Sequence, residues 1–400
     1  MSFDVHAFRA HFPSLTSGIA HFDGPGGTQT PRPVAEAIAA TMTAPLSLRG
    51  AELPSERNAE RVVAGFRSAY ADFLAVPERG VVHGRSATQL TYDFSRHLSR
   101  SWDPGDEVVV TRLDHDANVR PWVQAAERAG AVVRWLELDP ETALLRMDDL
   151  DETITARTRL VAVTAASNLL GTRPPVRAIA DRAHEVGALV HVDAVHHAAH
   201  GLVDATALGA DFVVCSPYKF FGPHCGVLGA DPALLETLRP DKLVPSTDVV
   251  PERFEFGTLP FEALAGATAA VDFLAAIAPS STRRASLEAA YRAVAEHEHA
   301  LLTRLTDGLA ALGDRVVNRS RATDRTPTTL LELPGHDARA AYRFLAARDV
   351  LAPAGAFYAH EAGLALGLPE SGGLRIGIAP YTTEEEIDRL LDGLAAFTTP

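Results

Sequence analysis

Lys219 and Asp193 are the residues best placed to do chemistry. Lys219 closes the apolar run "DFVVCSPYK", and Asp193 closes "ALVHVDA" 26 residues earlier. Apolar surroundings depress the pKa of an amine and favour its neutral form, the form that condenses with an aldehyde. A carboxylate at the end of an apolar strand wants a cationic partner. Together they suggest pyridoxal 5'-phosphate, with the aspartate on the pyridinium nitrogen and the lysine in a Schiff base.

Other polar residues follow apolar runs. In "VVHGRSATQLTYDFS" a strand passes through Gly84 into a helix beginning near Ser86, whose free N–H groups suit a phosphate or simply a serine cap. "RLDHDANVRPW" offers His115, and "VTAASNLLGT" offers Asn168, by itself readable as a turn residue. "ALVHVDAVHHAAHG" gathers His191, His196, His197 and His200, types that suit a metal without a complete ligand spacing. The two cysteines, Cys215 and Cys225, are too few for a disulfide scaffold.

Between about residues 80 and 230, the runs "EVVVT", "AVVRWLEL", "RLVAVTAAS", "ALVHVDA" and "DFVVCS" alternate with helical stretches such as "PPVRAIADRAHEVG". That alternation predicts a largely parallel sheet covered by helices, with ligands bound beyond the carboxyl ends of its strands. After about Gly257 the pattern becomes a long helical segment, "RRASLEAAYRAVAEHEHALLTRLTDGLAALG", then "TTLLELPG", "ARAAYRFLAARDVLAPAG", "GGLRIGIAPY" and a closing helix. The expected organisation is an N-terminal arm and substrate entrance over 1–30, a large domain over 31–260 and a smaller α+β domain over 261–400. "APSSTRRAS", 278–286, reads as a loop. The chain has 400 residues, 46% of them hydrophobic, enough for a sizeable core. Its formal charge of -14 comes without a basic block, which argues against nucleic acid or an anionic membrane as partner. The charged N-terminus "MSFDVHAFRAHFPSL" lacks a long apolar core, so a cytoplasmic chain is expected.

With these motifs the sequence resembles the cysteine desulfurase-like branch of the class V aminotransferase family, fold-type I pyridoxal phosphate enzymes. The resemblance runs from "HFDGPGGTQTPRP" to "RIGIAPYTTEEEIDRLL". It implies an α/β fold with a mainly parallel seven-stranded sheet and a smaller C-terminal unit. It implies that Lys219 carries the cofactor and shuttles protons, that Asp193 keeps the pyridine nitrogen protonated and that His115 stacks on the ring. Asn168 and His196, where desulfurases usually carry Gln, would lie near the phenolic oxygen. Ser86, Ala87 and Ser216 match phosphate contacts, and Tyr218 stands where many relatives have His. "FEFGTLP", with Gly257 and Thr258, resembles a segment that reaches the phosphate of a neighbouring subunit, implying a homodimer with shared sites. Arg375 matches the arginine that grips the substrate carboxylate. Gly26 and Gly27, with Phe357 and Tyr358, would line the substrate pocket.

One departure bears on the reaction. Desulfurases take sulfur onto a mobile-loop cysteine upstream of the carboxylate arginine, but here "VLAPAGAFYAHEAGLALGLPESGGLRIG" has none, and no cysteine follows Cys225. The expectation is therefore a C–S lyase acting on an S-substituted cysteine. Desulfuration, epimerisation, transamination and decarboxylative or oxidative deamination share the same scaffold. A metal-dependent hydrolase built on the histidine cluster and a noncatalytic cofactor-binding protein are rivals from other classes; the near-complete set Lys219, Asp193, His115, Asn168 and Arg375 weighs against both.

Overall fold

The computed structural model describes residues 3–399. Its centre is a seven-stranded sheet of β1 (Val81–Gly84), β2 (Glu107–Thr111), β3 (Val132–Leu136), β4 (Thr158–Thr164), β5 (Leu189–Asp193), β6 (Phe212–Cys215) and β7 (Gly226–Ala230). The spatial order is β1-β7-β6-β5-β4-β2-β3, parallel from β6 to β3, with β7 antiparallel to both neighbours.

Continuous apolar runs form these strands because both faces are covered. Val109, Val161 and Val213 pack into one hydrophobic layer, while Val108, Val110, Ala162 and Val214 pack into the opposite one. Alternate side chains point to opposite faces, so such a strand needs apolar residues at every position. Fully burying a Val, Leu or Phe side chain contributes roughly 1.5–3 kcal/mol.

The longer helices, in chain order, are α1 (Arg32–Thr43), α2 (Pro54–Leu74), α3 (Ala87–Leu98), α4 (Arg120–Ala129), α5 (Val176–Glu185), α6 (Phe261–Ala275), α7 (Arg283–Ala311), α8 (Ala338–Ala346) and α9 (Glu384–Thr398). Leu90 and Phe94 of α3 and Trp122 of α4 cover one face of the sheet. Phe66 and Tyr70 of α2, Ile179 of α5, Leu264 of α6 and Leu287 of α7 cover the other. The segment 278–286 is not loop throughout. Helix α7 starts at Arg283, where the Thr282 hydroxyl accepts the Ala285 N–H at 3.1 Å and caps the first turn.

A second, antiparallel sheet contains β8 (Val317–Asn318), β9 (Thr328–Glu332), β10 (Ala354–Gly355) and β11 (Gly373–Gly377), in the order β8-β9-β11-β10. Its core includes Leu331, Leu374 and Ile376, with Leu345 of α8 and Ile387, Leu390 and Leu394 of α9. The N-terminal segment joins this part of the molecule through Ala20–His21, which pairs in parallel with Val350–Leu351. Arg375 on β11 is thereby brought to the carboxyl edge of the large sheet.

Candidate active site

Four parallel strands deliver polar residues to one edge. His115 follows β2, Asn168 follows β4, Asp193 ends β5 and Lys219 follows β6. They line a common pocket with about 580 Å³ of empty space, counted out to the solvent at its mouth. Ser86, Ala87, His196, Ser216 and Tyr218 line the same pocket.

Lys219 is only 9% exposed and donates to the Pro25 carbonyl. Burial, with the nearby Arg375 charge, lowers its pKa to about 7, although Asp193 pulls the other way. The amine is thus readily neutral, as a nucleophile or base requires. Burial also raises Asp193 to about 6, opposed by the Val195 N–H at 2.8 Å and by Lys219. Beneath Asp193 lies a polar network that sequence reasoning missed. Asn118 donates to Asp114 at 2.6 Å, while its side-chain oxygen faces His191 Nδ1 at 2.9 Å and accepts from Trp122 Nε1 at 3.3 Å. The available signal was the "DHDAN" spacing, which sets Asp114 and Asn118 four residues apart around His115.

His115 Nδ1 accepts the Ala117 N–H at 3.0 Å, and the ring stacks on Tyr358 at 5.5 Å and 28°. Burial and the Lys219 charge lower its pKa to about 4, leaving a neutral ring at physiological pH. Asn168 donates from Nδ2 to the Phe357 carbonyl at 2.9 Å, and its backbone carbonyl accepts from Arg375 Nη1 at 3.0 Å. The Arg375 guanidinium lies 3.6 Å from the Phe357 ring centroid. Burial lowers Arg375 to about 9, which still leaves it a cation near neutral pH, and its Nε has no partner. A Cβ on Gly26 would sit 3.6 Å from Arg375 Nη2, and one on Gly27 3.3 Å from the Tyr218 ring. Tyr218 itself stacks on His224 at 4.6 Å.

The start of α3 forms another wall. Ser86 caps it by accepting the Gln89 N–H at 3.0 Å. A Cβ on Gly226 would come within 2.3 Å of the Ser86 carbonyl carbon, so glycine in β7 lets the strand and helix start meet. His196 replaces an expected glutamine and is held through Nε2 by Thr326 at 2.9 Å and Thr328 at 3.0 Å. Its Nδ1 and the Asn168 Oδ1 are buried without partners, as a ligand's polar atoms would require. Pyridoxal phosphate fits this donor set: a helix start for the phosphate, a buried carboxyl, a buried amine and two unsatisfied polar atoms.

Gly257 and Thr258 are not brought to this pocket within one chain; both are exposed on the segment before α6. The histidines do not converge on one point, although the His196 and His200 rings meet edge to face at 5.3 Å. His191 bonds Asn118, His196 the two threonines and His200 the carboxylate of Glu298 at 3.0 Å. Among the described residues no three His, Cys, Asp or Glu side chains form a metal-binding group. Cys215 and Cys225 are 0% and 2% exposed, and burial pushes the Cys225 thiol up to about 12 and the Cys215 thiol up as well.

The family model for class V aminotransferases matches residues 20–390. An uncharacterized Mycobacterium tuberculosis protein, MT3887, is 33% identical and aligns with 99% of this chain and 100% of its own length. A probable cysteine desulfurase from Streptomyces coelicolor is 31% identical, covering 98% of this chain and 96% of its own. The crystal structure of the Escherichia coli cysteine desulfurase CsdA matches with a TM-score of 0.86 at 26% identity, over 98% of each chain. The strand order, the edge-clustered residues and these similarities agree: the chain belongs to the class V aminotransferase family, in its cysteine desulfurase-like branch, and is a fold-type I enzyme that uses pyridoxal 5'-phosphate.

Proposed function

We propose that the protein is a C–S lyase that removes the Cα proton of an S-substituted cysteine and eliminates the sulfur substituent from Cβ. The observation that carries this reading is the state of the two cysteines: both are buried and held protonated, and no other cysteine is available to receive sulfur. A persulfide acceptor must be an accessible thiolate. β-Elimination needs no acceptor thiol.

When bound, pyridoxal phosphate supplies an electron sink that makes the bonds to Cα labile. In this reading Ser86, the Ala87 N–H and Ser216 would hold its phosphate, Asp193 would pair with its ring nitrogen, His115 would pack on its ring, and Asn168 and His196 would serve its phenolic oxygen. Arg375 grips the substrate carboxylate with a forked pair of donors. Gly26 and Gly27 leave room for the substrate beside Arg375 and Tyr218, with Phe357 and Tyr358 closing the other wall. That grip fixes which Cα bond faces the ring. Lys219, whose amine burial makes readily neutral, would take the Cα proton; the Cβ–S bond breaks, and sulfur leaves with its electron pair as a thiolate or sulfenate. With water, the net products are pyruvate, ammonia and the released sulfur compound.

The same reading has the protein working in the cytoplasm as a homodimer, with Gly257 and Thr258 reaching the phosphate site of a second copy. The exposed Leu243, Val244 and Phe256 near that segment support it. No helix among the described residues is long and apolar enough to cross a membrane.

The test mixes the purified enzyme with a panel of amino acids and cysteine S-conjugates, following cofactor absorbance and products. Pyruvate, ammonia and a free thiol are expected. Alanine with sulfide or persulfide would replace this reading with desulfuration, and an inverted Cα without other products would replace it with epimerisation.

A further inference from the structure

The segment that in desulfurases bears the acceptor cysteine is tied down here. Glu361 is 5% exposed, and both its carboxylate oxygens are engaged. Oε1 accepts from Arg120 Nη2 at 2.6 Å, and Oε2 accepts from Arg112 Nη1. Arg120 also grips Asp116 through Nε at 2.9 Å and Nη2 at 2.7 Å. The Arg112 guanidinium lies over the Trp135 ring at 3.9 Å and reaches Glu137. Arg112, just after β2, and Arg120, the first residue of α4, therefore hold a carboxylate that follows the Phe357–Tyr358 turn.

The tie acts where the chain is strained. Phe357 and Tyr358 are consecutive non-glycine residues with φ of 53° and 59°, a left-handed conformation that persists only when its surroundings impose it. The Asp116 N–H donates to the Tyr358 carbonyl at 2.7 Å, beside the arginine-bound carboxylates. The Phe357 carbonyl meets Asn168, its ring lies under Arg375, and the Tyr358 ring stacks on His115. One turn thus touches Arg375 and two pocket residues, His115 and Asn168.

We propose that Glu361 is a positioning residue: clasped by Arg112 and Arg120, it holds the Phe357–Tyr358 turn in place and so sets how tightly Arg375 binds the amino-acid carboxylate. This rests on the reading that Arg375 takes that carboxylate, and not on which products are formed.

The test uses the cofactor-loaded enzyme, wild type against Glu361→Ala, Glu361→Gln and Arg120→Ala. Amino-acid affinity is read from cofactor absorbance, with KM and kcat measured separately and hydrogen exchange followed at Asp116 and over 353–366. In Glu361→Ala the dissociation constant and KM should rise about ten-fold while kcat changes by less than about three-fold, and exchange in the turn should quicken. Glu361→Gln, which keeps the shape, should recover part of the affinity. Arg120 is partly exposed, so Arg120→Ala keeps the question open to measurement if Glu361→Ala fails to fold, and it should move KM in the same direction. Unchanged amino-acid affinity in Glu361→Ala, or in Arg120→Ala where only that variant folds, would overturn the clasp. An amine without a carboxylate that binds wild type as tightly as the amino acid would overturn the Arg375 reading beneath it.

Discussion

Lys219 and Asp193 give the cofactor-free protein an unusual dependence on pH. Burial lowers the folded lysine to about 7 from its ordinary 10.5, so between those values the unfolded chain binds the extra proton and stability rises with pH. For Asp193, at about 6 against 3.8, the folded chain holds the extra proton, so stability falls as pH rises through that window. Replacing the buried amine in Lys219→Met should therefore stabilise the cofactor-free protein near pH 6 by up to a few kcal/mol, with the advantage shrinking toward pH 10. Urea midpoints across pH check this; a difference that does not change with pH would show that the amine is not held in a charge-averse site. These two residues were legible because each ends an apolar run. The Pro25 carbonyl that meets Lys219 and the threonines that hold His196 were not, because such contacts join residues more than a hundred positions apart.

At the scale of elements, the large sheet was readable because strands covered on both faces leave unbroken apolar runs. Two-residue strands such as Ala20–His21 and Ala354–Gly355 were not, since a pair of residues carries no periodicity. The meeting of β7 with α3 was equally invisible, because it depends on what Gly226 lacks. Gly226→Ala should push the Ser86–Ala87 backbone away from the pocket, since the added Cβ would lie within 2.5 Å of the Ala87 nitrogen. The expected result is about a ten-fold or greater loss of cofactor affinity together with a lower Tm. Titrating the cofactor-free variant with pyridoxal phosphate measures the first effect. Unaltered affinity would mean that the helix start does not hold the phosphate.

For the whole molecule, one chain by itself leaves Leu243, Val244 (98% exposed), Val249 and Phe256 (49% exposed) in water, on the stretch of chain that leads to Gly257 and Thr258. Exposed apolar side chains gathered on one stretch of chain are candidates for the contact with the proposed second copy. Arg67 anchors the segment from below, pairing with Glu255 through two 2.7 Å hydrogen bonds. On the homodimer proposed above, Phe256→Asp should shift the protein toward monomer in light scattering and weaken cofactor retention by about ten-fold, as burying an unpaired carboxylate opposes association. A variant that remains dimeric with full cofactor retention would remove the segment from the interface. In the sequence the "FEFGTLP" segment already pointed to a second copy, whereas Leu243, Val244 and Val249 did not stand out, scattered as they are among prolines and charges.

The burial of both sulfurs also bears on how turnover can be watched. Alkylating agents and chromogenic disulfides attack thiolates, and neither Cys215 nor Cys225 offers one to solvent. If the protein is the C–S lyase proposed above, a thiol-detecting dye can therefore remain in the cuvette throughout the reaction, and the colour it develops should come from the released thiol rather than from the enzyme.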